Sequence, residues 1–306
     1  MKWRLLLAAA AAAAATGIVA WAGAREIGAD VWRAAWVIPI AVAVHALQLA
    51  ISGRAWRLLL GEGAPGQARV AVLRWLREAI NSMLPVAQIG GGVATVRMLA
   101  QAGVSLTHAT AATTLDVMME AVAMAPPVLA ALALLGAGEP TGLIWGFVAL
   151  LLGLGGFFVA QRMGLFRLAE RFGLPGLHDA LLELHGDWRR LLGAGLWHLL
   201  AWVLGTAETW VALYAMGAET SLVAAFILEI LGMVARSAGF AVPGALGVQE
   251  AGFVVVGHLV GIPADSAIAV SMIKRVRELV VGLPGLIVWQ AHEGRRYVIR
   301  ARARST

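Results

Sequence analysis

The sequence predicts an all-α, polytopic integral membrane helix bundle of about six to eight spans, and three observations carry that expectation. The 306 residues are 60% hydrophobic and 14% charged, whereas a soluble domain averages about 25% charged residues. Several apolar runs reach about 20 residues, the length that crosses a hydrocarbon core. Two segments, about 75–100 and 229–250, interrupt this pattern with arginine, proline and glycine. Charge and bent backbone at membrane depth are retained where they face a cavity or a partner. Both segments are therefore expected to span in broken form or to re-enter.

In chain order, a first span is expected over 5–22. Met1–Arg4 and the alanine-rich run resemble a cleavable secretory signal, but the apolar stretch is longer than the usual signal core, which favours an uncleaved helix. A second span covers about 34–52. A basic loop with Arg54, Arg57, Arg69, Arg74 and Arg77 leads into the first broken segment. A long apolar helix runs over about 107–135, with Pro126-Pro127 expected to kink it. The turn at 136–140 precedes a span at 141–160. Residues 161–190 form a cytoplasmic linker, in which Leu177, Leu181, Leu182 and Leu184 among charges suggest an amphipathic surface helix. A span at about 191–215, the second broken segment, a short piece at 251–262 and a last helix at about 265–290 complete the chain. No long polar stretch divides residues 1–306, so a single membrane domain is expected.

The formal charge of +6 does not indicate nucleic-acid binding. The arginines are not gathered on one face with stacking aromatics. They sit in loops, where the positive-inside rule places both termini in the cytoplasm. The absence of cysteine excludes disulfides, thiolate metal sites and cysteine nucleophiles. His178 and His185 lack a third ligand, and no nucleophile elbow or phosphate-binding loop occurs. No metal and no cofactor are expected.

The candidate site residues fall in four groups. Arg77 and Asn81 share a helix face, followed by the break at Pro85, then Gln88, Gly90-Gly91 and Arg97. Glycine permits close backbone approach and leaves amides open to an anionic group. Asp116 and Glu120, at i,i+4 in an apolar helix, repel each other unless a cation, a proton or an arginine intervenes. They are expected as counter-charges or a proton-coupling pair. In the second broken segment Glu229 and Arg236 share a face. Pro243-Gly244 and Gly247 break the helix, and Gln249-Glu250 follow. Glu250 has no cation close in sequence, so its partner must come from elsewhere. The final helix offers Lys274, Arg275, Arg277 and Glu278, with Lys274 and Glu278 spaced to pair locally and Pro284-Gly285 expected to break the helix. Arg77, Asn81, Gln88, Arg97, Arg236, Gln249, Lys274 and Arg277 are thus expected to meet a lipid headgroup. Arginine supplies the phosphate-binding fork, and Asp116, Glu120, Glu229, Glu250 and Glu278 act as counter-charges. Glu208, flanked by Thr206 and Thr209, reads more simply as a residue hydrogen-bonded across a helix interface. Paired Gly/Pro-interrupted segments in two halves point to a transporter-like binding site.

The stretch Arg77-Glu78-Ala79-Ile80-Asn81-Ser82-Met83-Leu84-Pro85-Val86-Ala87-Gln88-Ile89-Gly90-Gly91 resembles the signature of bacterial membrane proteins encoded with hopanoid biosynthesis, the HpnL type. So do Phe240–Glu250, Lys274–Leu279 and Leu283–Leu286. That type is similar to the flippase-like membrane portion of lysylphosphatidylglycerol synthases. The resemblance covers nearly the whole chain. It leads one to expect an acidic residue where this chain has Gly92. It implies an inner-membrane, multi-pass protein that moves a lipid or its headgroup between leaflets, near lipid-biosynthesis enzymes, without aminoacyl transfer. A non-catalytic scaffold for such enzymes and a headgroup-modifying enzyme are the alternatives.

Overall fold

The computed structural model describes residues 34–84, 89–136, 174–239 and 245–304, with isolated positions outside those stretches. The spans expected at 5–22 and 141–160, most of 161–173, and Pro85, Gln88, Pro243 and Gly244 lie outside the described residues.

The described residues form helices and no strand. They are α1 (Val37–Leu60), α2 (Gln67–Met83), α3 (Gly90–Gln101), α4 (Leu106–Ala123), α5 (Ala125–Leu135), α6 (Leu177–Gly186), α7 (Trp188–Ala215), α8 (Leu222–Ala238), α9 (Val248–Leu259) and α10 (Ala264–Arg304). Among the described residues, α1, the stretch Leu106–Leu135 and α7 are long and apolar enough to cross a membrane.

Local chemistry sets the boundaries. Ser105 Oγ accepts from His108 N at the start of α4, Asp187 from Arg190 N at α7, and Ser221 from Ala224 N at α8. Each satisfies an amide that a helix start leaves open. The Pro126-Pro127 pair divides α4 from α5 at Met124, since the first turn tolerates proline and the interior does not.

Helix α7 packs along α1 and also meets α4 and α8, while α2 lies against α1, α3 and α10. One apolar core gathers Val37, Val128, Leu228, Phe253 and Ile273, and a second gathers Trp56, Leu59, Leu99, Leu115 and Leu181. Large apolar side chains such as Leu129, Leu196, Leu283 and Ile287 are exposed, while Arg74, Arg77, Lys274 and Arg277 are buried. Charge inside and hydrocarbon outside is the pattern of a chain solvated by lipid.

Two expectations are corrected. Helix α10 continues through Pro284. The carbonyl of Val281 on the preceding turn is held by the indole N–H of Trp75 at 2.8 Å, and Gly285 lets α2 approach closely, since a Cβ there would meet Ala79 Cβ at 2.6 Å. Pro284 lacks the N–H that would serve the Val280 carbonyl, and Trp75 anchors the adjacent Val281 carbonyl beside that gap. The helix expected over 177–190 ends at Gly186, and Asp187 begins α7. In α6, Leu177, Leu181 and Leu184 turn toward the protein core, and only Leu182 of the four leucines is exposed.

Candidate functional site

The first half of the site grows from α2 and α4. Residues 74, 77 and 81 lie on one face of α2, and 116 and 120 on one face of α4. The two arginines stand between the two carboxylates. Arg77 Nη1 is 2.7 Å and Arg74 Nη1 3.3 Å from Asp116 Oδ2, while Arg74 Nη2 is 2.5 Å and Arg77 Nη2 3.4 Å from Glu120. The repulsion between Asp116 and Glu120 is thus relieved by shared cations. Arg77 also lies over the Trp56 ring at 5.5 Å, a cation–π contact. From α7, His198 Nε2 meets Asp116 Oδ1 at 2.9 Å, and Trp202 donates to the Glu120 carbonyl at 3.1 Å.

Asn81 serves the break itself. Its Oδ1 accepts from Gly91 N at 2.8 Å, which ties the start of α3 to α2 and satisfies an open helix-start amide. A Cβ on Gly91 would lie 2.2 Å from the Arg77 carbonyl oxygen, so only glycine allows this approach. Gly90 opens α3.

The second half gathers α7 to α10. Lys274 Nζ is 2.8 Å from Glu229 and 3.7 Å from Glu208, and Arg277 Nη1 is 2.5 Å from Glu208. Thr209 donates to Glu229 at 2.5 Å. Arg236 Nη1 donates to Glu278 and, at 2.6 Å, to Gln249 Oε1, while Gln249 Nε2 donates to Ser271 Oγ at 3.0 Å. Glu250 pairs with Arg275 at 3.0 Å and accepts from Gly247 N at 2.7 Å. Gly247, at φ 80°, and Ala245, at φ 50°, form the left-handed bend before α9, and Arg275 Nη2 donates to the Ala245 carbonyl at 3.1 Å.

Between the halves lies a cavity of about 120 Å³, lined by Arg74, Glu78, Glu120 and His198 on one side and Glu229, Lys274 and Arg277 on the other, with His45, Gln48, Ser52 and Trp202. That volume holds several waters or one small polar group. Buried atoms around it without a hydrogen bond are Arg74 Nε, His198 Nδ1, Glu208 Oε1 and Arg277 Nε. Leu49 also lines an apolar groove of about 360 Å³, bounded by Trp75, Val72, Val281 and Pro284. A polar chamber and a hydrocarbon-lined groove thus adjoin between α1, α2 and α10.

Of the expected residues, Arg77, Asp116, Glu120, Glu229, Arg236, Gln249, Glu250, Lys274, Arg277 and Glu278 all enter these two connected clusters. Arg97 does not; it is exposed on α3. Lys274 does not take Glu278, its neighbour one turn along, which instead meets Arg236, Arg275 and Arg277. The cations are neutralised by carboxylates, so an anionic group entering here has to compete with Glu or Asp for its arginine. Arg74, His198 and Glu208 join the site beyond the expected set. Their signal was present: ionisable residues within apolar helices are functional candidates by default, and 198, 205 and 208 follow one helical face.

A family model for the lysylphosphatidylglycerol synthase TM region matches residues 5–285. No curated protein and no solved structure matches the chain.

Proposed function

The chain belongs to the family of the lysylphosphatidylglycerol synthase transmembrane region, and on that premise we propose that it moves a membrane lipid between leaflets. The family suggests a membrane-lipid-related function, and the protein's apolar helices agree with a membrane location. The observation that carries the finer reading is the cavity of about 120 Å³ walled by buried ion pairs and framed by both broken segments. Buried charge of this kind is costly in a bilayer and marks substrate pathways. The headgroup occupies the polar chamber, and the hydrocarbon lies along the adjoining groove at Trp75 and Pro284. Because the arginines already hold carboxylates, they orient and polarise the chamber, and an incoming headgroup exchanges partners with them. Exchange of partners is also how the two halves rearrange.

The arginine excess in the loops supports a reading in which both termini lie on the cytoplasmic side of a bacterial inner membrane. The resemblance carried by 77–91 and 240–250 supports a link to hopanoid metabolism, with lipid-synthesis enzymes as neighbours. The activity in this reading is transport rather than chemistry on the lipid.

The purified full-length protein, reconstituted into phosphatidylethanolamine–phosphatidylglycerol vesicles carrying a labelled phospholipid, is expected to accelerate leaflet exchange over empty vesicles. Exchange no faster than in empty vesicles overturns the proposal.

A further inference from the structure

We propose that His198 binds a proton on Nδ1 and that this proton couples the cavity to the transmembrane proton gradient. His198 sits in the middle of α7, is 1% exposed and lines the cavity. Its Nε2 meets Asp116 Oδ1 at 2.9 Å. A carboxylate only accepts, so Nε2 carries the ring hydrogen of the neutral histidine. Nδ1 then presents a lone pair that is buried and has no partner. That is a vacant basic site facing a polar cavity.

The charges facing it make the vacancy consequential. On α2 stand Arg74, Arg77 and Glu78, the last half-buried and without an ion pair among the described residues. On α4 stand Asp116 and Glu120. Helix α7 adds Glu208, α8 adds Glu229, and α10 adds Lys274 and Arg277. Helix α1 adds His45 to the cavity, while its half-buried Arg54 and Arg57 are outside the cavity lining, and helix α5 brings no titratable side chain. Four cations therefore face five carboxylates, and the outlying pairs of Arg236 with Glu278 and Arg275 with Glu250 are balanced. With a neutral His198 the carboxylates outnumber the cations by one, and the unmatched charge is that of half-buried Glu78 on the cavity wall. One proton on Nδ1 balances it.

The step is simple. A proton from water on one side adds to the Nδ1 lone pair, giving an imidazolium against Asp116; its release to the other side restores the neutral ring, and no other bond forms or breaks. His45 also lines the cavity, but its Nδ1 faces the Gln48 amide oxygen at 3.3 Å rather than a carboxylate. The site rests on the lipid-transport reading for its role, because it supplies the driving ion for that movement.

Two readouts test it. In the full-length protein with ¹⁵N-labelled histidine rings, acidification should convert one Asp-bonded ring from an Nε2–H tautomer to an imidazolium that carries a second ring proton on Nδ1. That signal should be missing in H198Q and in H198N, and present in H45Q. In vesicles with labelled phosphatidylglycerol and an imposed pH gradient, the wild type should drive the lipid toward one leaflet at least tenfold faster than without the gradient. H198Q and H198N should lose that response. A ring that does not titrate, or a gradient response retained by both variants or lost only in H45Q, overturns the proposal. Titration with no lipid exchange under any condition overturns the lipid reading and leaves the proton site standing.

Discussion

Lys274 reaches Glu229 on a neighbouring helix at 2.8 Å and leaves Glu278, one turn along its own helix, to the arginines. An i,i+4 pair on an exposed helix is worth about 0.2–0.5 kcal/mol. A buried ammonium instead needs the geometry that best replaces its lost water. Lys274 is 2% exposed, so the tertiary carboxylate wins.

Lys274→Met should therefore destabilise the protein by about 3–5 kcal/mol, because Glu229 stays buried without its cation. Adding Glu229→Gln should restore part of that loss. Unfolding of the single and double variants in one detergent checks the coupling. Additive losses would show that the pair acts independently.

Arg236 joins α8 to Gln249 at the second break and to Glu278 on α10, whereas Arg97 is exposed on α3. Arg236→Ala should slow lipid exchange in vesicles at least tenfold, while Arg97→Ala should leave it at the wild-type rate. Equal rates in both variants would remove Arg236 from the transport path.

At the first break, neighbouring glycines should differ sharply. Gly91→Ala brings a Cβ to 2.2 Å from the Arg77 carbonyl oxygen, whereas at Gly92 the added carbon meets only Thr113 Cγ2 at 4.0 Å. Gly91→Ala should cost at least about 1–3 kcal/mol as overpacking. Gly92→Ala should be neutral or slightly stabilising, as alanine is the better helix former. Parallel thermal melts check both.

Trp75→Phe keeps an aromatic ring at the wall of the apolar groove but removes the hydrogen bond to Val281. A loss of about 0.5–1.5 kcal/mol is expected, with faster amide exchange in α10 just before Pro284. Unchanged exchange there would mean that the proline turn is held by other contacts.

Much of this organisation is legible in the amino-acid sequence. Apolar run length found α1 and α7, and the paired prolines found the α4–α5 junction. Glu250 lacked a local cation, which sent its partner to the last helix, where Arg275 stands at 3.0 Å. What stayed hidden depends on tertiary context. Arg74 looked like one more loop arginine, but α2 begins at Gln67, which brings it inside beside Arg77. Glu208 read as a neighbour of threonines, yet Thr209 serves Glu229 and Glu208 serves Arg277. Pro284 looked like a stop, and the help given by Trp75 from 206 residues away has no local trace. The local rules saw each residue's nearest chemistry; burial then reassigned partners across helices.

Glu250 has one oxygen on the Gly247 amide that starts α9 and the other on Arg275 of α10. One carboxyl group thus closes a helix start and anchors a neighbouring rod. Any shift of α10 that pulls Arg275 away also loosens the first turn of α9, so the bend at 245–247 and the tilt of the final helix move as one lever.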